Sequence, residues 1–305
     1  MSADKPLVSI VVPTYKRSDR IRVALDSIAA QDYGAENIEL IVVSDNRPEW
    51  PESAETDAAV APYAASLPHF RLLHTSGQTG GGAARNYACR QATGEYLTFL
   101  DDDDEFLPDK VSTQVAFMQE NSLDMSWQDV SWYDERGRLV EHRRLDHCED
   151  FSTECLLRAH LLTPISPTAI YMLRRDLFDR TEGFGEVATG QDWWLMLRCI
   201  EAGAHMGYMP EVHVRQYLHS GERLSLGKNK VNGEVARHEV VRGYYPRLSK
   251  KDVRYIEFRH NAVLAFAMKR SNQPGQAVIY ALKAIASSPA ACVSEALKFF
   301  GKAKS

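Results

Sequence analysis

The chain has 305 residues, 44% of them hydrophobic and 25% charged, which suits an ordinary globular protein of one large domain or one domain plus an extension. A formal net charge of −5 and a pI near 6.1 argue against non-specific binding to nucleic acid. Five cysteines (Cys89, Cys148, Cys155, Cys199 and Cys292) are odd in number and scattered, with no CxxC pair, and read as reduced thiols of a cytosolic protein.

The first hundred residues alternate strand and helix. Val8 to Val12 is a β-branched run stopped by Pro13; with Lys5 the one basic residue ahead of it, the apolar run Leu7 to Val12 is too short for the apolar region of a signal peptide. Ser18 is placed to cap a helix whose apolar positions Ile21, Ala24, Leu25 and Ile28 follow helical spacing. Glu39 to Val43 is a second strand, ending at Ser44-Asp45-Asn46, and a polar stretch from Arg47 to Pro62 reads as helix flanked by loop. Phe70 to His74 is a short third strand, Gly80-Gly81-Gly82 opens a helix to about Ala92, and Tyr96 to Leu100 is a fourth strand. This order predicts a mostly parallel sheet with helices on both faces and a ligand crevice at the carboxyl ends of its strands.

The middle is less regular. Strands are expected at Asp124 to Asp134, Ser166 to Arg174 and Val212 to Leu218, with a helix over Gln191 to Ala202. From about Gly233 the chain reads as helical, with breaks at Pro274-Gly275 and Pro289. No stretch reaches the ~18 apolar residues of a membrane span. Near the end, Val293, Ala296, Leu297 and Phe300 share a helical face, with Lys298, Lys302 and Lys304 nearby. Such a stripe either packs on its own domain or lies on an anionic membrane surface.

The most informative residues are Asp101 to Asp104, four consecutive aspartates directly after the fourth strand. Like charges packed side by side destabilise a fold unless a cation is held between them, and hard oxygen ligands suit Mg²⁺ or Mn²⁺. Pro13-Thr14-Tyr15 and Asp45 fall at the ends of neighbouring strands, so these segments are expected to converge. Tyr15 can stack on a planar base, and Asp45 can accept from a base or cap its own turn. The three glycines are compatible with a phosphate cradle or a flexible turn, without the Gly-Lys-Ser/Thr of a P-loop. Arg85 can reach a phosphate or pair with a strand-end aspartate. Asp192, opening its helix, is either a carboxylate favoured by the helix dipole or a catalytic base.

Taken together, Val8-Ser9-Ile10-Val11-Val12-Pro13-Thr14-Tyr15, Ile41 to Asn46, Ala84-Arg85-Asn86, Gly94 to Asp104 and Gly190 to Arg198 resemble the GT-A, family 2 type of inverting, nucleotide-sugar-dependent glycosyltransferase, over roughly residues 6 to 225. The resemblance implies a GT-A α/β fold, a doubly wound, mixed but mostly parallel sheet, in a domain spanning residues 1–225. Residues 1–110 would be its nucleotide-sugar half and residues 111–225 its acceptor half, followed by a helical extension over residues 226–305. It implies that Pro13, Thr14 and Tyr15 line a uracil pocket, that Asp45 bonds the base and that Arg85 lies under the nucleotide. Asp101-Asp102-Asp103 would be the DxD motif, with Asp102 facing the ribose and Asp103 holding Mg²⁺ or Mn²⁺. Asp192 would be the base, and His219 would approach the diphosphate or metal. The expected partners are a UDP-sugar and a glycan or lipid-linked acceptor, in the cytoplasm or at the inner face of its membrane, without nucleic acid. Two departures from the family pattern are Gln191, where an acidic residue is usual, and Ser44, where an aspartate is common.

Other classes fit less well. A sugar nucleotidyltransferase would want a Gly-rich basic loop where Pro13-Thr14-Tyr15-Lys16-Arg17 stands, and an aspartate-nucleophile phosphatase would not continue with Glu105-Phe106. A non-catalytic glycan-binding relative would not need Asp102, Asp103 and Asp192.

Overall fold

The computed structural model describes residues 5–218 and 227–302. In chain order the elements begin β1 (Val8–Thr14), α1 (Ile21–Ala29), β2 (Ile38–Ser44), α2 (Pro51–Val60), β3 (Arg71–His74), α3 (Gly81–Cys89), β4 (Tyr96–Phe99), β5 (Glu105–Phe106) and α4 (Lys110–Glu120). They continue with β6 (Met125–Asp134), β7 (Leu139–Arg143), α5 (Thr153–Leu162), β8 (Met172–Arg174), α6 (Arg175–Asp179), α7 (Gln191–Glu201) and β9 (Met206–Leu218). The helices α8 (Gly227–Gly243), α9 (Lys250–Arg270), α10 (Pro274–Ser287) and α11 (Pro289–Lys302) follow.

The strands form one mixed sheet in the order β3-β2-β1-β4-β8-β6-β9-β5, with β7 paired to β6. Pairing is parallel through β3, β2, β1 and β4, and again between β6 and β9, while β8 runs antiparallel to both β4 and β6. The parallel half follows from composition. Val8, Ile10, Val11 and Val12 on β1 and Leu40 to Val43 on β2 are buried on both faces, as strands covered by helices on each side must be. On α1 the buried Ile21, Ala24, Leu25 and Ile28 lie three or four residues apart, and burying each aliphatic chain contributes roughly 1.5–3 kcal/mol. The expected α/β architecture, with its helical C-terminal region, is the observed one.

The chain divides into two compact units, one of Met1–Leu157, Ile165–Glu186 and Gln191–Ser220, the other of Arg158–Pro164, Val187–Gly190 and Gly221–Ser305. The first contains the whole sheet. In the second, α9 and α10 pack on each other, and the buried Asp252 carboxylate receives Arg158 Nε at 3.0 Å and Nη2 at 2.7 Å.

Several local expectations are corrected. Ser18 does not cap α1; the cap residue is Arg20, and Ser18 Oγ donates to Glu55 at 3.2 Å. The strand expected over Ser166 to Arg174 shrinks to β8, because Thr168–Ile170 turns as a 3-10 helix. Helix α8 starts at Gly227 rather than near Gly233, and β9 starts at Met206 rather than Val212. All five cysteines are free thiols.

Candidate active site

The four aspartates do not act as a block. Asp104 N–H donates to Asp101 O at 3.1 Å, and this turn splays the side chains toward different elements. Asp101 pairs with Arg85 Nη2 from α3. Asp102 accepts from Thr14 Oγ1 at 2.7 Å and from Arg17 Nη1 at 3.0 Å, and the same Nη1 lies 2.8 Å from Asp103 Oδ2. Asp104 accepts from Gln216 Nε2 at 2.6 Å and Tyr217 N at 3.1 Å, which ties the end of β4 to β9. Two arginines and several neutral donors thus disperse a repulsion that would otherwise unfold the turn. Burial, then the Asp101 and Asp103 charges, hold the Asp104 carboxyl well above the usual range. Burial also pushes Asp102 up to about 6, against the pull of Arg17.

Arg85 is buried, and it joins two parts of the chain far apart in sequence. Its Nη1 donates to Gln191 Oε1 at 3.0 Å, so the residue that departs from the acidic pattern receives the guanidinium as a neutral acceptor. Arg85 Nε is buried without an acceptor, an orphan donor of the kind a bound anion would satisfy. Asp192 follows in the first turn of α7, half-buried. Desolvation raises its carboxyl, against the Trp193 N–H and the Arg85 charge, while the Asp101 charge adds to the rise. Asp192 is therefore within electrostatic reach of the Arg85–Asp101 pair. Arg143 on β7 also feels the Asp192 charge, and its guanidinium stands 5.7 Å from the Trp132 ring centre.

Asp45 has a different local role from a free base contact. Its Oδ1 accepts from Thr75 Oγ1 at 2.5 Å and from Thr79 N at 2.9 Å, and its Oδ2 from Gly80 N at 2.8 Å. The start of the glycine-rich turn therefore gives the Gly80 N–H to this internal carboxylate. Gly82 serves close approach, since a Cβ there would sit 2.4 Å from Gly185 O, so α3 meets the loop before α7 only with glycine.

Tyr15 is exposed at the end of β1, and its hydroxyl accepts from Gln78 Nε2 at 3.0 Å. Its ring lies 6.3 Å from that of Trp50, over which Lys16 Nζ stands at 3.9 Å. Trp50, Arg17 and Gln216 escape a reading of the sequence. Trp50 follows a strand end closely enough to have been a candidate, whereas nothing local to Arg17 or Gln216 announces a partner 85 or 112 residues away. Thr14 is buried beneath the aspartates, Pro13 is half-buried beside it, and His219 lies outside the described residues. The structure thus gathers Thr14, Arg85, Asp101, Asp102, Asp103 and Asp192 around one charge network, with Tyr15 and Asp45 on the neighbouring strand ends. Among the described residues, no three His, Cys, Asp or Glu side chains are grouped to hold a metal ion by themselves.

Comparison with known proteins gives the family and the fold. The sequence model described as "Glycosyl transferase family 2" matches residues 9–181. An uncharacterized glycosyltransferase of Rickettsia bellii is 31% identical over 194 residues, covering 59% of this chain and 26% of the relative. The putative colanic acid biosynthesis glycosyl transferase WcaA of Escherichia coli is 34% identical over 117 residues, covering 38% of this chain and 39% of the relative. The chain therefore spans well under two thirds of the length of these curated relatives. Among solved structures, S. aureus TarS 1-349 in complex with UDP-GlcNAc superposes with a TM-score of 0.60 at 19% identity, over 90% of both chains. The mannosyltransferase PcManGT from Pyrobaculum calidifontis, in complex with GDP-Man and Mn²⁺, gives 0.55 at 20% identity, over 98% of this chain and 80% of that one. At these identities the two structures establish the fold. With the match covering more than half of its length, the chain belongs to glycosyl transferase family 2.

Proposed function

We propose that this protein is an inverting glycosyltransferase that moves a sugar from a UDP-sugar to a hydroxyl of a glycan or lipid-linked acceptor. The observation that carries the reading is the junction made by Arg85, which bonds Asp101 at the end of β4 and Gln191 beside Asp192 at the start of α7. It joins the acidic strand end suited to a diphosphate to the carboxylate suited to a base. In this reading residues 1–225 form the transferase domain, with a nucleotide-sugar half to about residue 110, and residues 226–305 extend it.

The chemistry follows from the side chains. Tyr15, Pro13, Thr14 and Asp45 border the nucleotide, with one lone pair of Asp45 Oδ2 left for a base N–H. Asp192 takes the proton of the acceptor hydroxyl, and its raised pKa makes it a better base than a solvated carboxylate. The acceptor oxygen bonds to the anomeric carbon while the bond from that carbon to the diphosphate oxygen breaks, and the electron pair leaves with the diphosphate. Attack from the opposite face inverts the centre. The carboxylates of Asp102 and Asp103 already converge on one cationic group, and their hard oxygens fit Mg²⁺ or Mn²⁺, with Asp103 as the principal ligand. Such an ion would neutralise charge growing on the departing diphosphate. Support for a nucleotide-sugar donor comes from the UDP-GlcNAc and GDP-Man bound by TarS and PcManGT.

We extend the reading to a peripheral contact with the inner face of the cytoplasmic membrane. Among the described residues no single helix is long and apolar enough to cross a bilayer, and α10 and α11 are bent by 109° at their junction. Val278, Ile279, Leu282 and Ile285 of α10 are exposed, as are Val293 and Leu297 of α11. From Lys269 to Ser305 the sequence has six Lys or Arg against one acidic residue, Glu295, in a chain whose net charge is −5. Exposed apolar chains in a basic segment suit an anionic lipid surface.

The test of the donor reading is UDP release from a panel of UDP-sugars with Mn²⁺ or Mg²⁺, beside metal-free and Asp103→Ala controls. Metal-dependent release from one sugar, lost in the variant, is expected. No release, together with no metal-dependent UDP binding by calorimetry, would sink it.

A further inference from the structure

A guanidinium already sits on the two carboxylates that the proposed metal would use. Arg17 Nη1 is shared between Asp102 Oδ1 at 3.0 Å and Asp103 Oδ2 at 2.8 Å. Asp102 is buried and anchored by Thr14, whereas the Arg17 side chain is 33% exposed and borders solvent. The turn that presents it is strained. Lys16 has a φ of 56°, the left-handed region that residues with a Cβ rarely enter, and its N–H is tied to Asn46 Oδ1 at 2.8 Å. This turn sends two consecutive cations to different places, Lys16 over Trp50 and toward Glu52, and Arg17 onto the aspartates.

We propose that Arg17 is an exchangeable counter-ion, which leaves Asp102 and Asp103 when a nucleoside diphosphate arrives with its divalent cation and then binds the diphosphate itself. The inference rests on the metal-dependent nucleotide-sugar reading given above. A divalent cation needs carboxylate oxygens at roughly 2.0–2.1 Å, and it cannot share them with a guanidinium without close repulsion between like charges. The planar guanidinium fork matches phosphate oxygens as well as it matches carboxylates, so the arriving diphosphate supplies the partner that the aspartates give up. Metal alone must displace Arg17 and gains nothing in return, whereas metal with nucleotide offers Arg17 a new anion. The two ligands are thereby coupled, each raising the affinity of the other by the same factor.

The test measures Mn²⁺ binding by electron paramagnetic resonance on the full chain, with and without UDP, and UDP binding in EDTA by calorimetry. The proteins compared are wild type, Arg17→Ala, Arg17→Gln and Asp103→Ala, each checked for native near-ultraviolet circular dichroism. Arg17→Gln keeps polar hydrogen-bonding groups, which protects the test against misfolding of the alanine variant. In both Arg17 variants Mn²⁺ alone is expected to bind about tenfold tighter than in wild type, and UDP in EDTA about tenfold weaker. A merely structural ion pair would not tighten Mn²⁺ binding. Asp103-dependent Mn²⁺ binding that the Arg17 variants leave unchanged or weaken overturns this inference alone. No Asp103-dependent Mn²⁺ binding in any protein, with or without UDP, overturns the metal reading and this inference with it.

Discussion

The end of β4 and the helix α10 break the usual partition of polar and apolar groups in opposite senses. At the end of β4, the half-buried Asp101 and the buried Asp102 and Asp104 are each given a partner, Arg85 for Asp101, Thr14 and Arg17 for Asp102, and Gln216 for Asp104. On α10, Val278, Ile279, Leu282 and Ile285 face solvent, and Ala284 alone among its residues is buried. Buried charge is costly, and here it is held by hydrogen bonds from α3, β1, the turn after β1 and β9. Exposed aliphatic surface is also unfavourable, and within its own unit α10 leaves it uncovered. The difference teaches that the first departure is completed inside the fold, while the second is left at the surface.

The sharpest way to break the comparison lies at Asp192. Asp192→Asn should lower kcat by about 10²–10⁴-fold with the fold intact, as removal of a general base does. Because burial raises its carboxyl and the base must be ionised, the acid limb of the wild-type kcat/KM profile should lie above the ordinary carboxylate value of ~3.9, and the variant should lose that limb. A full-rate Asp192→Asn enzyme would remove Asp192 from the chemistry.

Lys110 sharpens the buried side. It is fully buried, bonded to Thr98 Oγ1 and 4.3 Å from the Phe106 ring centre, and desolvation pushes its amine well below the usual lysine range. The unfolded chain then binds the proton more readily than the folded one, so stability rises with pH until the ordinary lysine value of ~10.4 is reached. Lys110→Met should stabilise the protein by about 1–2 kcal/mol and flatten that rise, as read by urea melts at several pH values. A destabilised variant would mean that the hydroxyl and ring hold a charged ammonium well.

On the exposed side, replacing Ile279 and Leu282 together by aspartate should leave the melting temperature nearly unchanged and weaken binding to phosphatidylglycerol vesicles by at least about tenfold. Unchanged vesicle binding would point to a protein partner or a second copy for this face. The smallest effect is expected at Arg158→Ala, which should cost about 1 kcal/mol because Arg158 is half exposed. Its partner Asp252 is held low chiefly by the Arg158 hydrogen bond, so the pair's stabilisation is present above the unfolded value near 3.9 and disappears as pH falls through the lower folded value. Equal acid stability of wild type and variant would show the pair to be inert.

Much of the first half was legible because its signals are local. β-branched runs make the buried parallel strands, although β1 runs on through Pro13 to Thr14 instead of stopping at the proline, and the aspartates stand at a strand end whatever lies around them. The spacing of Ile21, Ala24, Leu25 and Ile28 was enough to place α1, but not its cap, since Ser18 turned instead to Glu55. β5 escaped because two residues have no period, and β7 because Leu139 to Arg143 is an exposed ladder without a buried face.

What the sequence by itself determined is the sheet's parallel half, the family and which residue types gather at the strand ends. Only the tertiary structure decided how the charges there are shared: Arg17 across Asp102 and Asp103, Arg85 between Asp101 and Gln191, Asp104 given to β9, and Asp45 bonded to its neighbouring loop. The physical reason is range. Strand and helix patterns arise from neighbours a few residues apart, whereas a buried charge is satisfied by whichever distant donor the packed chain brings within about 3 Å.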